Sequence, residues 1–444
     1  MKTIVEPAKE LPVVLETDIC VIGGSCTGLF AAVRAARLGA RVAIVEKQNC
    51  LGGVATTGLV NVWHSLHDVD GKQQIIAGLT HEMIERLKAR RAVMHNNNPN
   101  ISYRLDTEEL KIELDQLAVE QKLDVFLHTM YCAPYCQDGA LRGVIIENKD
   151  CRQVILARFF IDASGDGDVA RDMGLAAYRH EAIQPPTPTF KLYGDLSQVN
   201  VPALLQAYGA QYGLPEDWGW AGPIPAAPLL SFRADTHVFQ ADCSRAADLT
   251  RAEMEGRRQI RAVMDAINAC APVATDVRIA ATCSLIGIRD TVHYESDYQL
   301  NAEDLLHGRA FEDAIAYGSY RVDIHHAHGA GITFRTLDGH EDVFNDRSSP
   351  PVHRFWRTGD DYARYYQIPL RALIQRKVPN LLLAGRMIHA DADAFGAVRV
   401  MVNLNQIGEA CGVAAYQAIH SDQPVWALDA KAVRTQLRHG GSAV

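Results

Sequence analysis

Asp18-Ile19-Cys20-Val21-Ile22-Gly23-Gly24-Ser25-Cys26-Thr27-Gly28 opens with an apolar run and ends in a glycine turn. An alanine-rich run to Leu38 follows, Gly39 stops it, and Val42-Ala43-Ile44-Val45 leads into Glu46. The order is strand, tight turn, helix, stop, second buried strand, as a dinucleotide-binding βαβ unit requires. The first glycine lets the chain reverse, and the helix start beyond it offers unpaired N–H groups and partial positive charge to a pyrophosphate. Gly28 lets the helix lie close on the strand. Glu46 is placed to accept from a ribose diol and would repel a 2′-phosphate. Ser25 stands at the middle glycine of G-x-G-x-x-G, with Gly24 beside it keeping the turn supple.

Working outward, Gly52-Gly53 suits a loop passing close to phosphates or sugar. Ala55-Thr56-Thr57 stands where flavin disulfide reductases carry a redox cysteine pair, which disfavours disulfide chemistry. Asp106 reads as the N-cap of a helix running to about Gln121, after an earlier amphipathic helix near Ile75–Arg90. Strands are expected at Val125–Thr129, Gly143–Glu147, Val154–Ala157 and Phe159–Ile161, the last ending in Asp162-Ala163-Ser164-Gly165-Asp166-Gly167-Asp168. The apolar spacing predicts a long helix from about Ala246 to Ala269 and another from about Val400 to Ile419.

The 444 residues suffice for two or three domains. A formal charge of −9, from 44 basic and 53 acidic side chains without a basic run, argues against a nucleic-acid partner. No apolar stretch approaches the roughly 20 residues that span a bilayer, and residues 1–17 carry no signal-peptide core, so a cytoplasmic location without membrane association is expected. The ten cysteines show no C-x-x-C and no iron–sulfur spacing.

Strand–glycine turn–helix–strand–Glu, a hairpin insertion and the "IDASGDGD" stretch together resemble the FAD domain of the glutathione-reductase/fumarate-reductase superfamily. Within it the chain is similar to the FAD-dependent oxidoreductase family, which includes the flavin part of heterodisulfide reductases. Gly287-Ile288-Arg289-Asp290-Thr291 and Ile368-Pro369-Leu370-Arg371 through Ala384-Gly385-Arg386 extend the resemblance over most of residues 15–420. It implies an α/β fold: a Rossmann-like FAD-binding domain of glutathione-reductase type with an inserted α+β substrate (cap) domain. The expected division is 1–178 and 366–425 for the FAD part, 179–365 for the cap, and 426–444 for a tail with a short helix and a frayed end.

The implied cofactor is FAD, held noncovalently by Gly23, Gly24, Ser25, Thr27, Gly28, Glu46, Lys47, Gly52, Gly53, Ser164, Gly165, Asp168, Gly385, Arg386 and Val398. Many relatives have Asp where Arg386 stands, which changes the ribityl contact. There is no second glycine fingerprint, so electrons enter and leave through substrates or a partner protein.

Arg289 is the first catalytic candidate, as proton donor or anion anchor, with an ion pair to Asp290 or Glu303 as the structural alternative. Arg399, beside the expected start of the last long helix, is a second. Asp323-Ile324-His325-His326-Ala327-His328 offers a histidine base or substrate donor, represented by His326, with a purely structural role and a metal set as the alternatives weighed against it. No metal is expected. His389 and His64 complete the candidates.

The expected activity is hydride transfer between a small polar molecule and flavin N5. The alternatives are an electron-transfer subunit of a heterodisulfide-reductase-like complex and a flavin-binding RNA-modifying or regulatory protein. A homo-oligomer is compatible with all of these.

Overall fold

The structure is a computed structural model that describes residues 2–96, 98, 102–346 and 348–444. Strand β1 (Val13–Ile22), helix α1 (Cys26–Arg37) and strand β2 (Val42–Val45) form as the sequence predicts. β1 lies inside a seven-stranded sheet, parallel to β2 on one side and to Arg152–Asp162 on the other. Side chains alternate between two cores. Ile19, Val21, Val42 and Ile44 face the helices, while Cys20, Ile22, Ala43 and Val45 face the opposite layer. Burial on both faces explains why these strands are continuous apolar runs.

One expectation is corrected here. The segments 154–157 and 159–161 are one strand, Arg152–Asp162. Its first half pairs antiparallel with Ala140–Glu147, and its last residues pair parallel with Leu381–Leu383. Changing partners along its length lets one strand join the hairpin to the sheet. Met130–Gln137, unanticipated, is the outer strand of that hairpin. Pro134 is tolerated there because an edge strand has an unpaired side.

Helix Met401–Ser421 packs along α1 on the sheet face. Gly408 and Gly412 bring the two backbones together: a Cβ on either would lie 2.1 Å from the Thr27 carbonyl oxygen or 2.2 Å from that of Ala31. Glu409 between them is buried against Arg34 and accepts from the Leu79 amide at 3.0 Å. The tail is not frayed. Ala430–His439 is helical, Ser442 Oγ donates to Glu409 at 3.4 Å, and Val444 is buried.

The middle segment builds two antiparallel sheets. One runs Trp220–Ile224, Ala227–Ala234, Phe190–Tyr193, Arg278–Thr282, with the helix Ala246–Cys270 packed behind it. The other is a meander of Val322–His325, Ile332–Arg335, His340–Phe344 and Val352–Phe355. No helix among the described residues is long and apolar enough to cross a membrane.

Candidate active site

A continuous cavity of about 650 Å3 runs from the β1–α1 turn to the underside of the two middle sheets. Its first end is made by Gly23, Ser25, Cys26 and Thr27. Gly23 has φ 104°, and a Cβ there would sit 2.2 Å from the Ala163 carbonyl oxygen, so only glycine makes this turn. Ser25 caps α1, accepting from the Gly28 amide at 3.3 Å. The amides of Cys26 and Thr27, in the first turn, have no acceptor within their own helix and border the cavity.

Glu46 lies beside this turn, 7 % exposed. One carboxylate oxygen accepts from the Gly24 amide at 2.6 Å, the other from the Gln48 amide at 2.8 Å. The backbone thus orients the acid toward the cavity before any ligand arrives.

Gly52, Gly53, Lys47, Ser164, Gly165, Asp168, Gly385 and Arg386 line the next stretch. Asp162 props this wall from behind: its carboxylate accepts from the amides of Ser164, Val169 and Ala170 at 3.1, 2.8 and 3.0 Å. Burial outweighs these bonds and raises its pKa to about 6. Arg386, at the place of the relatives' Asp, ties down Asp166 at 2.6 Å and also donates to Thr291. The Arg386 guanidinium, together with the Thr291 hydroxyl, holds the Asp166 carboxyl below the usual range against its burial.

The N-terminus of Met401–Ser421 closes the middle of the cavity through Val400, Met401, Leu404 and Asn405. The side-chain oxygen and nitrogen of Asn405 are buried and unpartnered. A buried amide without partners is costly, and this one borders the cavity. It stands among Asn403 and Gln406 near the start of an otherwise apolar helix, so the sequence does not single it out.

Charge gathers at the far end. Arg289 donates to the Pro185 carbonyl oxygen at 2.9 Å and to Thr187 Oγ1. It pairs with neither Asp290 nor Glu303, the structural alternative weighed for it; Asp290 instead bridges His180 and His293. Burial, and then the neighbouring Arg399 guanidinium, push Arg289 well below its ordinary pKa. Arg399 donates to the Asp323 carbonyl oxygen at 3.1 Å and lies 3.5 Å from its carboxylate, leaving its buried Nε unpartnered.

Asp323 also accepts from Tyr320 Oη at 2.6 Å and stands 3.3 Å from His325 Nε2. His325 Nδ1 has no partner, and burial, reinforced by Arg289, keeps the ring's pKa well below the usual histidine value. Behind it, His237 is fixed by Asp217 at 2.7 Å, the two imidazole centroids being 4.6 Å apart. Trp218, Trp220, Phe334 and Phe344 supply an apolar wall, and His64 stacks on Tyr320 at 4.0 Å.

The cavity therefore collects Arg289 and Arg399 with Gly23, Ser25, Thr27, Glu46, Lys47, Gly52, Gly53, Ser164, Gly165, Asp168, Gly385 and Arg386. Five anticipated residues stand outside its lining. Gly24 gives its amide to Glu46, Gly28 lies against Gly23, and Val398 is buried in the core. His326 turns to Thr333 Oγ1 at 3.0 Å, one residue beyond the strand that presents His325. His389 accepts from the Ser296 amide at 3.0 Å and packs against Tyr178.

A dinucleotide fits these residues: amides without helical acceptors at two helix starts, an aligned carboxylate between them, and an unsatisfied buried amide beyond. A family model described as FAD dependent oxidoreductase matches residues 18–437. Mitochondrial dihydrolipoyl dehydrogenase of Schizosaccharomyces pombe is 30% identical over 99 residues, 20% of this chain and 19% of that one. The match thus spans about a fifth of that relative's length. A geranylgeranyl bacteriochlorophyll reductase-like protein of Thermoplasma acidophilum aligns over 96% of this chain and 83% of its own, with TM-score 0.45 and 12% identity. A p-nitrophenol 4-monooxygenase of Pseudomonas putida aligns over 95% and 84%, also at 0.45 and 12%.

Proposed function

Because the chain belongs to the FAD-dependent oxidoreductase family, with FAD as its cofactor, we propose that it moves a hydride between flavin N5 and a small substrate bearing a carboxylate. The carrying observation is the Arg289–Arg399 pair, two guanidiniums lining one cavity, with the carboxylates of Asp323 and Asp217 acting on Arg289. Two guanidiniums held side by side on one cavity wall favour an anion between them.

On this reading the FAD part is 1–178 with 366–425, the segment 179–365 is the cap, and the antiparallel hairpin inserted before Arg152–Asp162 supports a glutathione-reductase type of arrangement. The amides of Cys26 and Thr27 hold the pyrophosphate and Glu46 the ribose. The start of Met401–Ser421 and Asn405, which line the middle of the cavity, would hold the flavin ring. Bound FAD supplies a two-electron acceptor or donor. Arg289 and Arg399 orient the substrate carboxylate. His325, held well below the usual histidine pKa by burial and by Arg289, takes or returns the substrate proton at its unpartnered Nδ1. Trp218, Trp220, Phe334 and Phe344 exclude water from the apolar body of the substrate.

The test is anaerobic bleaching of the purified flavoprotein by matched panels of hydroxy acids, unsaturated acids, and their amides or neutral alcohols. Acids should bleach the flavin, or reoxidise the reduced form, and their uncharged counterparts should not. Arg399→Gln should weaken acid binding by about 30-fold or more, as truncating one member of a buried charged contact does. Equal turnover of acids and amides would overturn the assignment.

A further inference from the structure

Behind the cavity wall, His180, Asp290 and His293 meet with side chains 6 %, 1 % and 0 % exposed. Their potential ligand atoms all lie within 4.8 Å of one another. Each ring is anchored on its outer side by a backbone carbonyl: His180 Nε2 lies 3.1 Å from the Ala390 oxygen and His293 Nδ1 3.0 Å from that of Ile388. A carbonyl oxygen only accepts, so the outer nitrogens carry the hydrogens. A neutral imidazole has one such hydrogen, which leaves lone pairs on the two inner nitrogens. These face the Asp290 carboxylate, His180 Nδ1 at 3.2 Å and His293 Nε2 at 2.9 Å.

Lone pairs do not stack against a carboxylate without a positive charge among them. One added proton satisfies only one of the two nitrogen–carboxylate contacts, and two would make two imidazolium rings with centroids 4.2 Å apart, packed on Phe395 and Tyr178 away from water. One divalent ion supplies the same charge without that repulsion. The spacing suits it: metal–ligand bonds of about 2.0–2.2 Å set neighbouring ligand atoms roughly 3.3 Å apart. Carbonyl groups fixing the tautomer of metal-bound histidines are the usual outer shell of such a site.

We propose that His180, Asp290 and His293 bind a divalent transition-metal ion, zinc by the nature of its ligands, in a structural role. The ion fastens the segment 388–395 to the strand pair Ala177–Tyr178 and His293–Tyr294. Arg289 adjoins one of its ligands, and the helix Ala392–Val398 leads from the other side to Arg399. The ion would thereby hold both cavity arginines in register without taking part in electron transfer.

The flavin-loaded protein is stripped with a chelator, exposed to Zn2+, passed through a desalting column and assayed for zinc and flavin. About one zinc per chain should remain. Asp290→Asn and His180→Gln should lower the zinc content at least about tenfold while flavin content stays the same. Should either variant lose flavin as well, the zinc K-edge spectrum of the unsubstituted protein decides, with two imidazoles and a carboxylate as the expected shell. Zinc content near zero after loading, equal content in the variants, a different ligand shell, or doubly protonated rings at His180 and His293 in a metal-free protein would each overturn the proposal.

Discussion

Gly408→Ala sets two physical effects against each other. In an unconstrained helix the change is favourable by about 1 kcal/mol, because alanine loses less backbone freedom than glycine. Here the new Cβ would meet the Thr27 carbonyl oxygen at 2.1 Å and the Thr27 carbonyl carbon at 2.9 Å. These are backbone atoms, unable to rotate away, so helix Met401–Ser421 and α1 must part by about 1 Å to reach ordinary contact. Overpacking of this kind costs about 1–3 kcal/mol, and a backbone clash belongs at the upper end. The net expectation is a loss of about 2 kcal/mol. Thr27 lies in the first turn of α1, on the cavity wall, so the displacement is also felt by the bound cofactor. If the whole penalty is expressed there, FAD dissociation rises about 30-fold. Thermal unfolding followed by circular dichroism, alongside FAD release followed by flavin fluorescence, measures both parts. A variant that melts at or above the parent temperature with full flavin content would show that helix propensity wins and that the close approach is of no consequence.

Three further outcomes are expected. Glu46→Ala should lower FAD affinity by about tenfold or more by removing a charged acceptor, while unaltered occupancy after dialysis would deny it the ribose role. Asn405→Leu should leave the melting temperature of the FAD-free protein unchanged or raised, since two unpartnered buried atoms disappear, yet weaken flavin retention; equal retention would remove Asn405 from the site. His325 has a folded pKa well below its unfolded value near 6.5. Below that pH the unfolded chain therefore binds more protons, and stability falls as the solution is acidified. His325→Gln should flatten the decline in melting temperature below about pH 6.5, and a profile parallel to that of the parent would show that the ring titrates normally.

What could be read from the sequence was local. The unit from β1 to β2 announces itself because its strands, turn and helix are neighbours in sequence and each side chain reports its own environment. Arg158 interrupts the apolar run of Arg152–Asp162 without ending the strand, because it is the strand's exposed position and its guanidinium reaches the Ile419 carbonyl oxygen at 3.0 Å. The cavity arginines were legible, whereas their surroundings were not. Asp290 looked like a partner for its neighbour Arg289, but His180, 110 positions earlier in the chain, claims it. Choosing His326 over His325 missed the two-residue period of the strand Val322–His325, which puts Asp323 and His325 on one face. Arg386 departed from the expected acid, and only the fold shows that Asp166 and Thr291 engage it.

The pairing of α1 with Met401–Ser421 has a temporal consequence. One wall of the cavity is made within the first 60 residues, whereas the opposite wall waits for a helix beginning at Met401. During synthesis the glycine turn and its oriented carboxylate emerge well before the helix whose Gly408 and Gly412 seat against α1. Until then the Thr27–Ala31 face of α1 lacks its partner. The second wall of the cofactor seat thus waits for Met401–Ser421, so a ribosome stalled in the middle segment would carry a nucleotide seat without its second side.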